Sequence, residues 1–123
     1  MGMIIENIIS EIIMKQVNID ESIETILKNN SENDYLFFYF TAKWCGPCQK
    51  ISPLIEKLAE DNERSDLKYY KVDIDNDFND DLCEKCKVEK IPSYTIIKHN
   101  KILETQTGGD INIPLKMLSD HLL

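Results

Sequence analysis

The 123-residue sequence reads as an α/β fold, a central mixed β-sheet of four to five strands flanked by helices on both faces. Three observations predict it. Strand-like and helix-like segments alternate from Met14 to Val88. The run Tyr35-Leu36-Phe37-Phe38-Tyr39-Phe40-Thr41 is apolar almost throughout, as a strand covered on both faces requires. Two alternating runs, Ser93 to Lys98 and Lys101 to Thr107, flank His99-Asn100, where Asn tolerates the positive φ of a hairpin turn.

In chain order, Ile4, Ile5, Ile8, Ile9, Ile12 and Ile13 recur at intervals close to a helical turn. Residues 1–13 therefore read as an N-terminal extension whose spacing suits an amphipathic helix, although β-branched isoleucine suits a strand as well. The domain proper spans 14–123. Met14 to Ile19 reads as a short strand. Asp20 is placed to cap a helix running to about Lys28, with Glu21 and Glu24 near the positive end of its dipole. A polar loop over 29–34 precedes the aromatic strand, and a helix then runs from the first C-x-x-C to about Asn62. Leu54, Ile55 and Leu58 are assigned to one face of that helix, and Pro53 to a kink. Leu67 to Ile74 reads as a buried strand and Phe78 to Val88 as a helix. After the hairpin, Gly108-Gly109 breaks the chain, and a last helix starts near Asn112 with Pro114 in its first turn.

Bulk composition narrows the function. Hydrophobic residues make up 42% and charged residues 29%, globular proportions for a chain long enough to fold without a disulfide or metal. A net charge of −8 argues against nucleic acid or an anionic membrane, since phosphates call for a Lys/Arg surplus. No apolar run approaches the roughly 18 residues of a membrane span. The first residues lack a cationic start, and Glu6 and Glu11 interrupt their apolar stretch, so the expected location is the cytoplasm. There, four cysteines in two C-x-x-C pairs indicate redox or metal chemistry rather than a disulfide scaffold.

The first pair, Cys45-Gly46-Pro47-Cys48, falls at the end of a buried strand and the start of a helix. Unpaired N–H groups and the dipole at a helix N-terminus stabilise a thiolate. Cys45, the more exposed of the two, is then the better nucleophile, and Cys48, turned inward, is placed to attack the resulting mixed disulfide. Pro47 restrains the loop, and Lys43 and Lys50 add positive charge nearby.

Trp44-Cys45-Gly46-Pro47-Cys48 is the active-site sequence of thioredoxins, and the chain resembles that family over roughly residues 14–123. Other positions agree in register. Pro53 matches the family's helix-kinking proline and Lys71 its buried lysine. Ile91-Pro92 matches the cis-proline facing the disulfide, and Gly109 the glycine lining the substrate groove. The resemblance implies the thioredoxin fold and a thiol–disulfide oxidoreductase that reduces protein disulfides through Cys45 and Cys48. It implies no bound cofactor and no metal, only a redox-active Cys45–Cys48 disulfide reduced indirectly by NADPH through a thioredoxin reductase or similar donor. The expected form is a monomer. Substrate backbone is expected along Ile91, beside Pro92, in a shallow apolar groove made with Trp44, Gly46, Pro47 and Gly109.

One departure concerns the catalytic strand. Thioredoxins carry a buried Asp six residues before the first cysteine, where this chain has Tyr39. Phenols, with a pKa of about 10, are poor bases at neutral pH, though they donate or relay hydrogen bonds. Tyr39-Phe40-Thr41 is similar to the corresponding strand of tryparedoxin and nucleoredoxin. Tyr39 either fills the core or sends the Cys48 proton by another route. The second pair, Cys83-Glu84-Lys85-Cys86, shares a predicted helix face with Phe78 and Leu82, which reads as two core thiols. A regulatory disulfide is the alternative, since some animal thioredoxins carry a non-catalytic cysteine where Cys86 stands.

Three rival functions remain. A zinc site could use both cysteine pairs, but the stretch between them exceeds usual zinc spacing. A non-turnover binding or chaperone module would explain Tyr39 but not the intact cysteines. An isomerase or oxidant usually carries His where Pro47 stands. His99 and His121 read as surface residues, and the acidic run from Asp73 to Glu84 lacks the glycine and spaced Glu of a calcium loop.

Overall fold

A computed structural model describes residues 14–16 and 23–122. The proposed helix over 1–13, the cap at Asp20 and Glu21 lie outside the described residues, as does the end of the first strand. The elements are β1 (Met14–Gln16), α1 (Ile23–Asn29), β2 (Tyr35–Thr41), α2 (Gly46–Asp61), β3 (Leu67–Asp73), a 3-10 turn (Asp77–Asn79), α3 (Asp80–Lys85), β4 (Ser93–Lys98), β5 (Lys101–Thr107) and α4 (Asn112–Leu122). The five strands form one sheet in the order β1-β3-β2-β4-β5. β1 and β2 pair with β3 in parallel, while β2–β4 and β4–β5 are antiparallel. The expected mixed sheet is present, with all five strands.

Strand alternation sorts the aromatic run into two cores. Phe37 and Tyr39 point to one face, joined by Tyr69, Tyr94 and Ile96 and covered by α2 and α4 through Ile51, Ile55, Leu58, Met117 and Leu118. Leu36, Phe38 and Phe40 point to the other, with Tyr70, Val72 and Ile97 under α1 and α3. Ring pairs tie neighbouring strands together: Phe38 stacks on Tyr70 at 5.3 Å between centroids, and Tyr39 on Tyr94 at 5.8 Å. At the hairpin, His99 and Asn100 take φ of 53° and 61°, the left-handed geometry the turn requires. Gly108 has φ of 140°, and a Cβ there would meet the Ile113 side chain at 2.7 Å, so only glycine fits where the chain leaves β5.

Four sequence expectations are corrected. Leu54 is half exposed, because the face of α2 that meets the sheet runs through Cys48, Ile51, Ile55 and Leu58. Phe78 is exposed and belongs to the 3-10 turn, so it does not share a buried face with Cys83 and Cys86; the helix begins at Asp80 and ends at Lys85. Lys71, read as buried, is partly exposed. β4 does not alternate in burial: it is buried from Ser93 to Ile97, because the two core layers cover both of its faces, Tyr94 and Ile96 in one and Ile97 in the other.

The corrected face of α2 is testable by denaturant unfolding. Ile55→Ala is expected to cost about 2–5 kcal/mol of stability. Leu54→Ala is expected to stay within about 0.5 kcal/mol of the parent.

Candidate active site

β2 delivers the chain to Thr41, and a turn brings Cys45 to the N-cap of α2. The Cys45 N–H donates to the Ala42 carbonyl at 3.2 Å, and the Gln49 side-chain amide donates to the same carbonyl at 2.9 Å. These bonds tie the first helical turn to the strand end. Pro47 sits within that turn, where its missing N–H costs little. The Cys48 N–H donates to Cys45 Sγ at 3.2 Å. One of the helix's orphan donors and the positive end of its dipole thus fall on the first sulfur, which favours its thiolate once reduced.

Cys45 and Cys48 are joined as a disulfide, their Cα atoms 5.2 Å apart. Cys45 is 5% exposed and Cys48 fully buried, so of the two only Cys45 offers an edge to a partner. The peptide bond between Ile91 and Pro92 is cis, and the Ile91 carbonyl oxygen lies 4.0 Å from Cys45 Sγ. A cavity of about 700 Å³ opens here, lined by Trp44, Cys45, Gly46, Pro47 and Ile91 from the expected set. Ile74, Cys83 and Val88 add apolar wall, and Asp80, Glu89 and Lys90 add charge. Pro92 is buried and, like Gly109, is not among the residues lining the cavity. Gly109 lies against the active-site loop, where an added Cβ would stand 3.6 Å from that of Pro47.

Trp44 is largely exposed, its indole N–H donating to Asp75 Oδ1 at 3.1 Å. That partner was missed in the sequence reading, where Asp75 was only one of an acidic run. Lys43 and Lys50 are exposed. Lys71 pairs in register with Tyr39, but its ammonium reaches Glu56 at 3.6 Å. A pair this accessible contributes at most about 1 kcal/mol.

Tyr39 is fully buried under α2. Its hydroxyl stands 2.7 Å from Ser52 Oγ, 3.1 Å from the Cys48 carbonyl oxygen and 3.3 Å from Thr41 Oγ1. Ser52, also missed, donates to the Cys48 carbonyl at 2.8 Å. Its spacing of four from Cys48 on one helix was the available signal.

The family model described as thioredoxin matches residues 13–118. The chain belongs to the thioredoxin family. It is 30% identical to a thioredoxin of Ictalurus punctatus over 82 residues, 67% of this chain and 75% of that one. It is 33% identical to a thioredoxin H-type of Fagopyrum esculentum over 98 residues, 80% and 81% of the two chains. The crystal structure of thioredoxin from Trypanosoma brucei brucei superposes with a TM-score of 0.72 at 31% identity, covering 87% of this chain and 88% of that one. Thioredoxins are thiol–disulfide oxidoreductases that act on disulfide substrates and are recharged by reductases. This thioredoxin-family protein carries the same reactive pair and the same activity, with a redox-active disulfide in place of a bound cofactor.

The second cysteine pair is free. Burial pushes the Cys83 thiol up to about 11, with Asp80 adding to the rise. Burial likewise pushes Cys86 up to about 11, opposed by a hydrogen bond from Thr95. Among the described residues, no cluster of His, Cys, Asp or Glu has the arrangement of a metal site.

With thiol pKa values of about 11 instead of 9.0, Cys83 and Cys86 carry roughly a hundredfold less thiolate at pH 8 than ordinary thiols. In the oxidised protein, iodoacetamide should label both slowly at pH 8. The rates should climb until about pH 11, as read by mass spectrometry. Labelling that levels off near pH 9 would contradict the assigned environment.

Proposed function

We propose that this protein works in the reducing direction, with Cys45 as nucleophile and Cys48 as resolving thiol. The Cys45 thiolate attacks one sulfur of a substrate disulfide, and the other leaves as a thiolate that takes up a proton. Cys48 gives up its proton to solvent, from which the leaving thiolates are protonated, and attacks Cys45 Sγ of the mixed disulfide. The Cys45–substrate bond breaks, its electron pair leaves with the substrate sulfur, and the protein retains the Cys45–Cys48 disulfide. Two electrons have passed to the substrate.

The observation that carries this reading is the 3.2 Å contact from the Cys48 N–H to Cys45 Sγ, on the only exposed edge of the pair. Pro47 supports reduction over oxidation: it removes an N–H from the loop and stands where oxidants and isomerases usually carry His. The cavity beside Cys45 supports an extended substrate segment running past Ile91, with Trp44, Gly46 and Pro47 on its other side. Pro92 and Gly109 would shape that groove through their neighbours, Ile91 and Pro47.

The donor in this reading is an NADPH-dependent thioredoxin reductase or a similar reductase, and the protein acts as a monomer in electron transport and redox homeostasis. A cytoplasmic site is supported by cysteine usage, since two further thiols remain unpaired at Cys83 and Cys86.

Cys45→Ser should abolish reduction of a protein disulfide such as those of insulin, and Cys48→Ser should accumulate substrate as mixed disulfide on Cys45. Full turnover by the Cys45 variant would remove the assignment of the nucleophile. A glutathione titration followed by Trp44 fluorescence should give one two-electron transition near about −270 mV, the value characteristic of thioredoxins. A midpoint near about −180 mV would reverse the proposed direction.

A further inference from the structure

Beneath the first turn of α2 lies a buried cluster that the exchange chemistry does not yet use, the hydroxyls of Tyr39, Thr41 and Ser52. We propose that Tyr39 and Ser52 are positioning residues for the resolving half-reaction. They act through the Cys48 carbonyl to hold Cys48 in line with the mixed disulfide. The inference rests on the dithiol mechanism above and deepens it.

Counting protons defines the network. Ser52 Oγ donates to the Cys48 carbonyl at 2.8 Å, and Tyr39 Oη stands 2.7 Å from Ser52 Oγ. Each hydroxyl has one proton, so with Ser52 committed to the carbonyl, Tyr39 donates to Ser52. The phenol oxygen also lies 3.1 Å from that carbonyl and 3.3 Å from Thr41 Oγ1. Tyr39 is wholly buried and Ser52 nearly so, which makes an unmade bond here costly and the arrangement stiff.

The helix needs such a support at this point. Pro53 brings no N–H to the Gln49 carbonyl, so the backbone ladder lacks a rung where the turn carrying Cys48 joins the rest of α2. The two hydroxyls bind the neighbouring carbonyl to β2, the central strand of the sheet. Cys45 is held differently, by its own N–H donating to the Ala42 carbonyl, which the Gln49 side chain also ties to the first helical turn. Loss of a hydroxyl therefore loosens the resolving thiol and leaves the nucleophile in place. In-line attack on a disulfide is sensitive to such displacement.

The two half-reactions separate when the reduced protein is mixed with one equivalent of 5,5′-dithiobis(2-nitrobenzoate). Attack by Cys45 releases the first thionitrobenzoate, and resolution by Cys48 releases the second. Tyr39→Phe and Ser52→Ala, each checked for folding by thermal denaturation, should keep the first phase within about twofold and slow the second about tenfold. A variant whose second phase runs at the parent rate takes its residue out of the proposal. Equal slowing of both phases marks a general structural loss and overturns it. Ser52 keeps a little exposure where Tyr39 has none, so Ser52→Ala decides the matter even if Tyr39→Phe does not fold. Absence of a second release from the parent protein would instead sink the dithiol mechanism.

Discussion

The junction between β2 and α2 is the constraint on which the rest of the site depends. A strand buried on both faces ends at Thr41, and within a few residues the backbone has become a helix whose first turn is pinned back to Ala42. That abrupt change leaves backbone N–H groups unpaired at the point where Cys45 stands, and one of them falls on its sulfur. Moving the helix start by one residue would direct that donor elsewhere. The stacked rings of Tyr39 and Tyr94 and the helix contacts of Ile51 and Ile55 resist such movement. The core's role in the chemistry is to fix a direction.

Seen from this junction, the tyrosine in place of a carboxylate is a change of means as well as of charge. A buried carboxylate brings a charge that must be solvated or neutralised. The three hydroxyls bring donors and acceptors that satisfy one another and the Cys48 carbonyl without that cost. What they offer the second cysteine is placement. The lysine that could have balanced a carboxylate is turned to Glu56 on the helix flank, consistent with a site that has no buried charge to balance.

Much of this was legible in the sequence, because the signals were local or strongly patterned. The aromatic run could only be a fully covered strand, and Cys45-Gly46-Pro47-Cys48 marked the helix start by Pro47 as well as by chemistry. His99-Asn100 fixed the hairpin for the same reason. Errors arose where a residue's neighbours are set by tertiary geometry. Leu54 lies one position from the buried Ile55, and a helical period alone does not say where a face ends. Phe78 was drawn into a helix by its apolar character, although the local turn is built by Asn76 Oδ1 accepting from the Phe78 N–H. β4 alternates in sequence, but helices cover the sheet on both sides of it, with Tyr94 and Ile96 in one core and Ile97 in the other. Ser52 escaped notice because its value depends on Tyr39, a residue of another element, and no single-strand pattern links them.

The groove shows how the two helical layers divide the work. The β2–α2 side supplies the sulfurs and the helix dipole that meets them, with the buried hydroxyls behind them on the Cys48 carbonyl. In the same cavity, α3 and the segment before Pro92 supply Cys83, Val88, Glu89 and Lys90. The Cys83 thiol, held protonated by burial and by Asp80, serves there as apolar wall. Ile91 lines the same cavity, its carbonyl oxygen 4.0 Å from Cys45 Sγ.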